Sequence, residues 1–237
     1  RPAYDRDARG VGIVHFGIGA FHRSHMAAYT DDAMAAAGGD WRILGVSLRS
    51  ASVRDQMVPQ DGLSTLVERS AAGSKARIIG AVADVLVASE ERKRLVATLA
   101  APITHIVSFT ITEKGYCRAP DGSLDLALAD DRSAYSYLAE AYARRKAAGL
   151  PGLSLLSCDN LAGNGAQLQR LMGQYLDAHA PDLRSWFDAE CACPSTMVDR
   201  IVPATTEADR AEIEAMFGMR DEAAVDTEPF SQWVIED

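Results

Sequence analysis

Cysteine is scarce and unpatterned. The 237 residues carry 4, with no Cys-x-x-Cys pair and no spacing that forms a disulfide framework in a chain of this length. Reduced thiols suit it best, and a chain this long buries roughly 70% of its unfolded surface, needing neither disulfide nor metal to hold a core. Excess positive charge is missing too. The 24 Lys and Arg face 33 Asp and Glu, a net of −9, which argues against nucleic acid as the main partner. No run of about 18 apolar residues exists to span a membrane, and Arg1-Pro2-Ala3-Tyr4-Asp5 lacks the apolar stretch of a secretory signal. A soluble cytoplasmic protein without membrane contact is expected. Internal repeats, low-complexity tracts and flexible linkers are also lacking. Against roughly 150 residues for a typical domain, the chain reads as one large domain, 1–237. Arg1 in place of an initiator Met, and an apolar stretch at 233–237, read as part of a longer polypeptide.

What is present is an alternation of elements. Residues 11–16 form a short apolar run closed by Gly17-Ile18-Gly19, which predicts a buried strand entering a tight turn. Helix formers follow over 21–37 until Gly38-Gly39, and 41–48 is again β-rich and apolar. Strand, helix and strand in this order give the βαβ rhythm of a parallel sheet. Residues 64–69 and 76–82 flank Ala71-Ala72-Gly73-Ser74 and read as an inserted hairpin. Ser89 is placed to cap a helix over 90–100, and 104–111 is β-branched and aromatic, hence a strand. Residues 133–148 read as a helix with Arg144, Arg145 and Lys146 near its C-terminal end. A further parallel strand at 153–157 precedes a helix at 164–178, and Thr206 precedes one at 208–217. The expected fold is α/β: a Rossmann-type, doubly wound, mostly parallel sheet with an inserted β-hairpin region.

Glycine at positions 17 and 19 permits a tight turn and close backbone approach, so that helix N-terminal amides can face a pyrophosphate. The sixth position counted from Gly17 is His22 rather than Gly or Ala, and a tight strand-to-helix turn without a ligand explains the same residues. No acid follows the second strand until Asp55. Arg49 there suits a 2′-phosphate or stacks on adenine, or is simply a solvated arginine. His15, His22 and His25 have no second cluster to complete a metal site, so no metal is expected. Polar residues at the ends of buried strands, Ser108 to Tyr116 and Ser157 to Gly165, belong where open α/β sheets bind ligands. Asp199-Arg200 is a charged pair in an apolar run, and a structural ion pair accounts for it equally.

Taken together, Gly17-Ile18-Gly19-Ala20-Phe21-His22-Arg23-Ser24-His25, Gln60-Asp61-Gly62-Leu63, Thr110-Ile111-Thr112-Glu113-Lys114-Gly115-Tyr116, Ser157-Cys158-Asp159-Asn160-Leu161, Met197-Val198-Asp199-Arg200-Ile201 and residues 228–237 resemble the mannitol dehydrogenase family. These are the polyol-specific long-chain dehydrogenases and reductases, which include fructuronate reductases. The resemblance implies NAD, with NADP possible, and metal-independent hydride transfer between a polyol or aldonate and the corresponding ketose or keto-uronate. It implies a cofactor site at Gly17, Gly19, Ala20, Phe21, His22, Arg23, Arg49, Thr110 and Thr112. It also implies that Asn160 stabilises the oxyanion, and that Glu113 and Asp199 lie beside a catalytic lysine. That lysine would come from a helical C-terminal domain beyond residue 237. A Rossmann oxidoreductase acting on another hydroxy substrate, or a non-catalytic nucleotide-binding module, remains the alternative.

Overall fold

The computed structural model describes residues 2–236. The first apolar run is β1 (Val11–Phe16), with all but Val11 buried. It is followed by α1 (Ala20–Ser24), α2 (Met26–Ala37) and β2 (Arg42–Ser47). The single helix expected over 21–37 is broken at His25 (φ −115°, ψ −89°). There the Ser24 hydroxyl bonds back to the Ala20 and Phe21 carbonyls, a competition with the helix ladder that bends or ends helices.

Next comes α3 (Ser52–Met57), then the expected hairpin, β3 (Ser64–Ser70) antiparallel to β4 (Gly73–Ile79). The sequence reading carried this hairpin on to Val82, but a new strand begins there. Gly80 ends β4, with its N–H held by the Asp31 carboxylate, and β5 (Val82–Val87) enters the main sheet parallel to β2. The helix expected from Glu90 with a Ser89 cap is α4 (Arg92–Leu99), and Ser89 makes no cap bond to it. The amides of Glu90 and Glu91 instead turn back onto the Val87 carbonyl. The chain continues through β6 (Ile106–Phe109), α5 (Thr112–Gly115), α6 (Ala134–Ala147), β7 (Ser154–Ser157), α7 (Asn164–His179) and α8 (Arg184–Glu190). It closes with β8 (Thr196–Asp199), α9 (Glu207–Phe217), β9 (Val225–Thr227) and β10 (Gln232–Ile235).

The main sheet runs β5-β2-β1-β6-β7 with every neighbouring pair parallel. Counted along the chain, that is third, second, first, fourth, fifth, the doubly wound order whose direction reverses between β1 and β6. One core layer packs the sheet against α4, α6, α7 and α8, through Leu95, Leu138, Leu171 and Phe187. The other packs it against α2, the hairpin and Val225. Arg145 is fully buried at the end of α6. Its guanidinium donates to the carbonyls of Leu99, Ala101 and Pro151 and so ties the end of α4 to the entry of β7.

Two features lie outside the sequence reading. β9 adds to β3 in parallel, making a three-stranded sheet of the hairpin, and β8 pairs with β10 as a separate antiparallel ribbon. Both pair segments far apart in sequence. Among the described residues, no helix is long and apolar enough to cross a membrane.

Candidate functional site

At the reversal point, the end of β1 turns sharply. The Gly17 N–H donates to Val46 (2.8 Å) and the Gly19 N–H returns to the Gly17 carbonyl (2.6 Å). Gly17 has φ +95°, and a Cβ there would lie 2.1 Å from the Thr110 carbonyl. Glycine at this position therefore serves the close approach of β1 and β6. Gly19 is different. Its backbone is extended, with φ −82°, and a Cβ would meet only the Gly17 carbonyl, at 3.8 Å. Gly19 keeps space free in front of α1 rather than relieving a clash.

That space is a cleft of about 430 Å³. Gly17, Gly19, Ala20 and Phe21 form one wall, and Thr110 and Thr112 project from the end of β6. Asn160 follows β7, and Asp199 ends β8. Eight of the expected site residues thus share one crevice.

Four do not line it. His22 is completely buried with its ring stacked on His15 at 3.6 Å. Arg23 is 6% exposed, and its guanidinium donates to the carbonyls of Ala223 (3.1 Å) and Ile18 (3.2 Å). The helical turn of α1 rotates both inward, where Arg23 braces the glycine turn from behind. Arg49 and Glu113 face a neighbouring cleft of about 520 Å³, together with Lys114 and Arg118. Thr112, at φ +60°, starts α5, and the next residue, Glu113, turns toward Arg49 instead of toward Asn160.

Residues not singled out individually set this geometry. The Asp159 carboxylate accepts from the amides of Ile111 (3.0 Å) and Thr112 (3.1 Å) and from the Tyr116 hydroxyl (2.8 Å). It thereby fixes the loop carrying Thr110 and Thr112. Burial raises this carboxyl above its ordinary value, against the lowering effect of its donors. The Asn164 amide nitrogen lies on the carbonyls of Ser157 (2.9 Å) and Thr196 (3.0 Å), and its oxygen accepts from the Thr196 N–H (2.8 Å). This bridge holds the ends of β7 and β8 side by side, and with them Asn160 and Asp199. Arg200 does not pair with Asp199. It binds Glu68 (2.6 Å) and the carbonyls of Ser24 and Glu228, so Asp199 remains exposed on the cleft. Sequence offers one signal for this framework: polar residues lying flush with the ends of apolar strands.

Burial pushes the imidazoles of His15, His22 and His25 below their ordinary value of 6.5, His15 to about 3. On acidification the unfolded chain takes up protons near pH 6.5 that the folded chain does not, so stability falls as pH drops. For His15 the expected loss between about pH 6.5 and pH 5 is about 2 kcal/mol, and His22 adds to it in the same direction. It reads out as a lower urea midpoint, and a flat midpoint across that range would contradict it.

Strand order and the glycine turn at the crossover crevice define a Rossmann-type domain, the architecture that binds dinucleotides at this position. The chain matches the model of the mannitol dehydrogenase Rossmann domain over residues 11–237. It is 42% identical over 252 residues to mannitol 2-dehydrogenase of Pyrenophora tritici-repentis, covering 100% of this chain and 44% of that protein. Among solved structures, D-sorbitol dehydrogenase in substrate-free form matches with a TM-score of 0.94 at 35% identity, over 100% of this chain and 52% of that one. Pseudomonas fluorescens mannitol 2-dehydrogenase, in a ternary complex with NAD and D-mannitol, matches with a TM-score of 0.90 at 38% identity, over 100% and 51%. The chain belongs to the mannitol dehydrogenase family. It spans about half the length of the relatives it matches.

Proposed function

We propose that the cleft holds a nicotinamide dinucleotide and that the whole protein interconverts a polyol and its ketose, of the mannitol and fructose type. The observation that carries this is the convergence of Gly17, Gly19, Thr110, Asn160 and Asp199 on one crevice in a member of this family. The residues fit the cofactor, because a Cβ at Gly19 would occupy otherwise open space beside the turn, where a pyrophosphate needs close backbone approach. Gly17, Gly19, Ala20 and Phe21 would hold it, with Thr110 and Thr112 opposite. When bound, the dinucleotide accepts or supplies the hydride.

Asn160 donates its amide N–H to the substrate oxygen as charge develops there. Asp199 sits beside the general base and tunes its proton affinity. None of the chain's four lysines lines this cleft, which supports a base supplied by a helical C-terminal domain beyond residue 237. Glu113, on the neighbouring cleft, is the weaker of the two acids for that role. The acidic net charge and free cysteines suit a cytoplasmic enzyme.

Calorimetric titration of the whole protein with NAD+, paired with NADH formation from D-mannitol, tests the reading. Absence of dinucleotide binding, or turnover confined to a simple hydroxy acid, would overturn it. We expect NAD(H) to be preferred, although Arg49, Lys114 and Arg118 outnumber the one acid, Glu113, in the neighbouring cleft. Arg49→Ala is then expected to change NAD+ affinity by less than about threefold, since a solvated cation contributes under about 1 kcal/mol. A strong NADP(H) preference that disappears in Arg49→Ala would reverse this expectation.

A further inference from the structure

The Gly17 carbonyl is held by more than the turn itself. It accepts from the Gly19 N–H (2.6 Å) and from the Thr110 hydroxyl (2.7 Å), and His15 Nε2 lies 3.3 Å away. The hydroxyl's single proton goes to the carbonyl, which can only accept. Thr110 Oγ1 therefore accepts from His15 Nε2, at 2.9 Å. That places the imidazole proton on Nε2, leaves Nδ1 as an acceptor, and makes the Ser108 hydroxyl, at 2.8 Å, its donor. The chain runs from Ser108 through His15 and Thr110 to Gly17, with each proton used once. Burial keeps His15 neutral down to about pH 3, so this tautomer persists at any working pH.

We infer that His15 is a positioning residue for the glycine turn: by holding Thr110 on the Gly17 carbonyl, it prevents the peptide unit between Gly17 and Ile18 from flipping. This rests on the proposal that the turn holds a dinucleotide. The carbonyl and N–H of a trans peptide point in opposite directions, and Gly17, at φ +95°, has no Cβ to resist rotation. A flip would carry the oxygen away from both the Thr110 hydroxyl and the Gly19 N–H and so undo the turn that sets Gly17 and Gly19 on the cleft wall. His22, stacked 20° from parallel on His15, fixes the plane of the imidazole. Among the described residues neither His22 nitrogen has a hydrogen-bond partner, so its contribution here is the ring face.

The test is NAD+ titration calorimetry on variants of the whole protein, with melting temperature recorded alongside. His15→Leu removes both ring nitrogens, Thr110→Val removes the hydroxyl at nearly constant volume, and His15→Gln supplies an amide N–H in place of Nε2–H. His15→Leu and Thr110→Val are each expected to weaken NAD+ binding about tenfold, as loss of a buried hydrogen-bond partner does, with His15→Gln recovering to within about threefold of the parent. Equal losses in His15→Leu and His15→Gln would overturn the assignment, since His15 would then only fill space. If His15→Leu does not fold, His15→Met, which likewise lacks an N–H, takes its place against His15→Gln by the same criterion. A parent protein that binds no NAD+ overturns the cofactor reading and this inference together. Unchanged affinity in all three variants overturns the role of His15 alone.

Discussion

Replacing Gly19 by valine is expected to remove NAD+ binding from the whole protein while leaving it folded. The backbone there is extended, at φ −82°, a region open to any residue. A Cβ would touch nothing nearer than the Gly17 carbonyl at 3.8 Å, so the fold accommodates the branched side chain. The cleft does not, because the two methyl groups occupy the space that the pyrophosphate needs against the backbone. Affinity should fall at least about 100-fold, roughly 2.7 kcal/mol. Calorimetric titration with circular dichroism as the folding control measures both halves of the expectation, and unchanged affinity in a folded variant would remove the turn from the cofactor site. Gly17→Ala makes the contrast: its Cβ would lie 2.1 Å from the Thr110 carbonyl, at φ +95°, and the fold itself should suffer.

Asn160→Ala is expected to act on turnover. Its neighbours Asp159 and Asn164 are committed to the framework, whereas Asn160 is exposed on the cleft wall. A donor that meets charge developing on the substrate oxygen typically contributes 10²–10³-fold, about 2.7–4 kcal/mol, and turnover should fall by that order. The NAD+ dissociation constant should move less than about threefold, because the donor's interaction strengthens only as the hydride moves. Loss of cofactor affinity in proportion to turnover would instead place Asn160 at the cofactor.

Much of this was legible in the sequence, for a local reason. β1, the glycine turn and β2 announce themselves by apolar runs and glycines within a short stretch. Eight of the expected site residues line one crevice because strand ends in a doubly wound sheet converge there. Long-range pairing was not legible. Nothing near Val225 marks it as the parallel neighbour of Leu66, and nothing near Trp233 marks it as the partner of Val198. The first residue of β5, Val82, was read into the hairpin because Ile79 and Val82 are both β-branched and only Gly80 stands before it as punctuation. His22 and Arg23 belong to the same motif as Gly19, but one turn of helix rotates them into the core, and a motif written as a string does not carry that rotation.

The brace behind the glycine turn has a consequence for synthesis. Arg23 is held by the carbonyl of Ala223, 200 positions later, and β3 receives its parallel neighbour β9 from the same late segment. At 5–20 residues per second, a ribosome needs about 10–40 s to deliver the second partner after the first. Through that interval the nascent chain holds β1 and its turn without the group that buries the Arg23 guanidinium. Closing so long a loop is the slow kind of folding step. The crevice is therefore completed late, and its ligand can stabilise the finished fold but not guide its first strands into place.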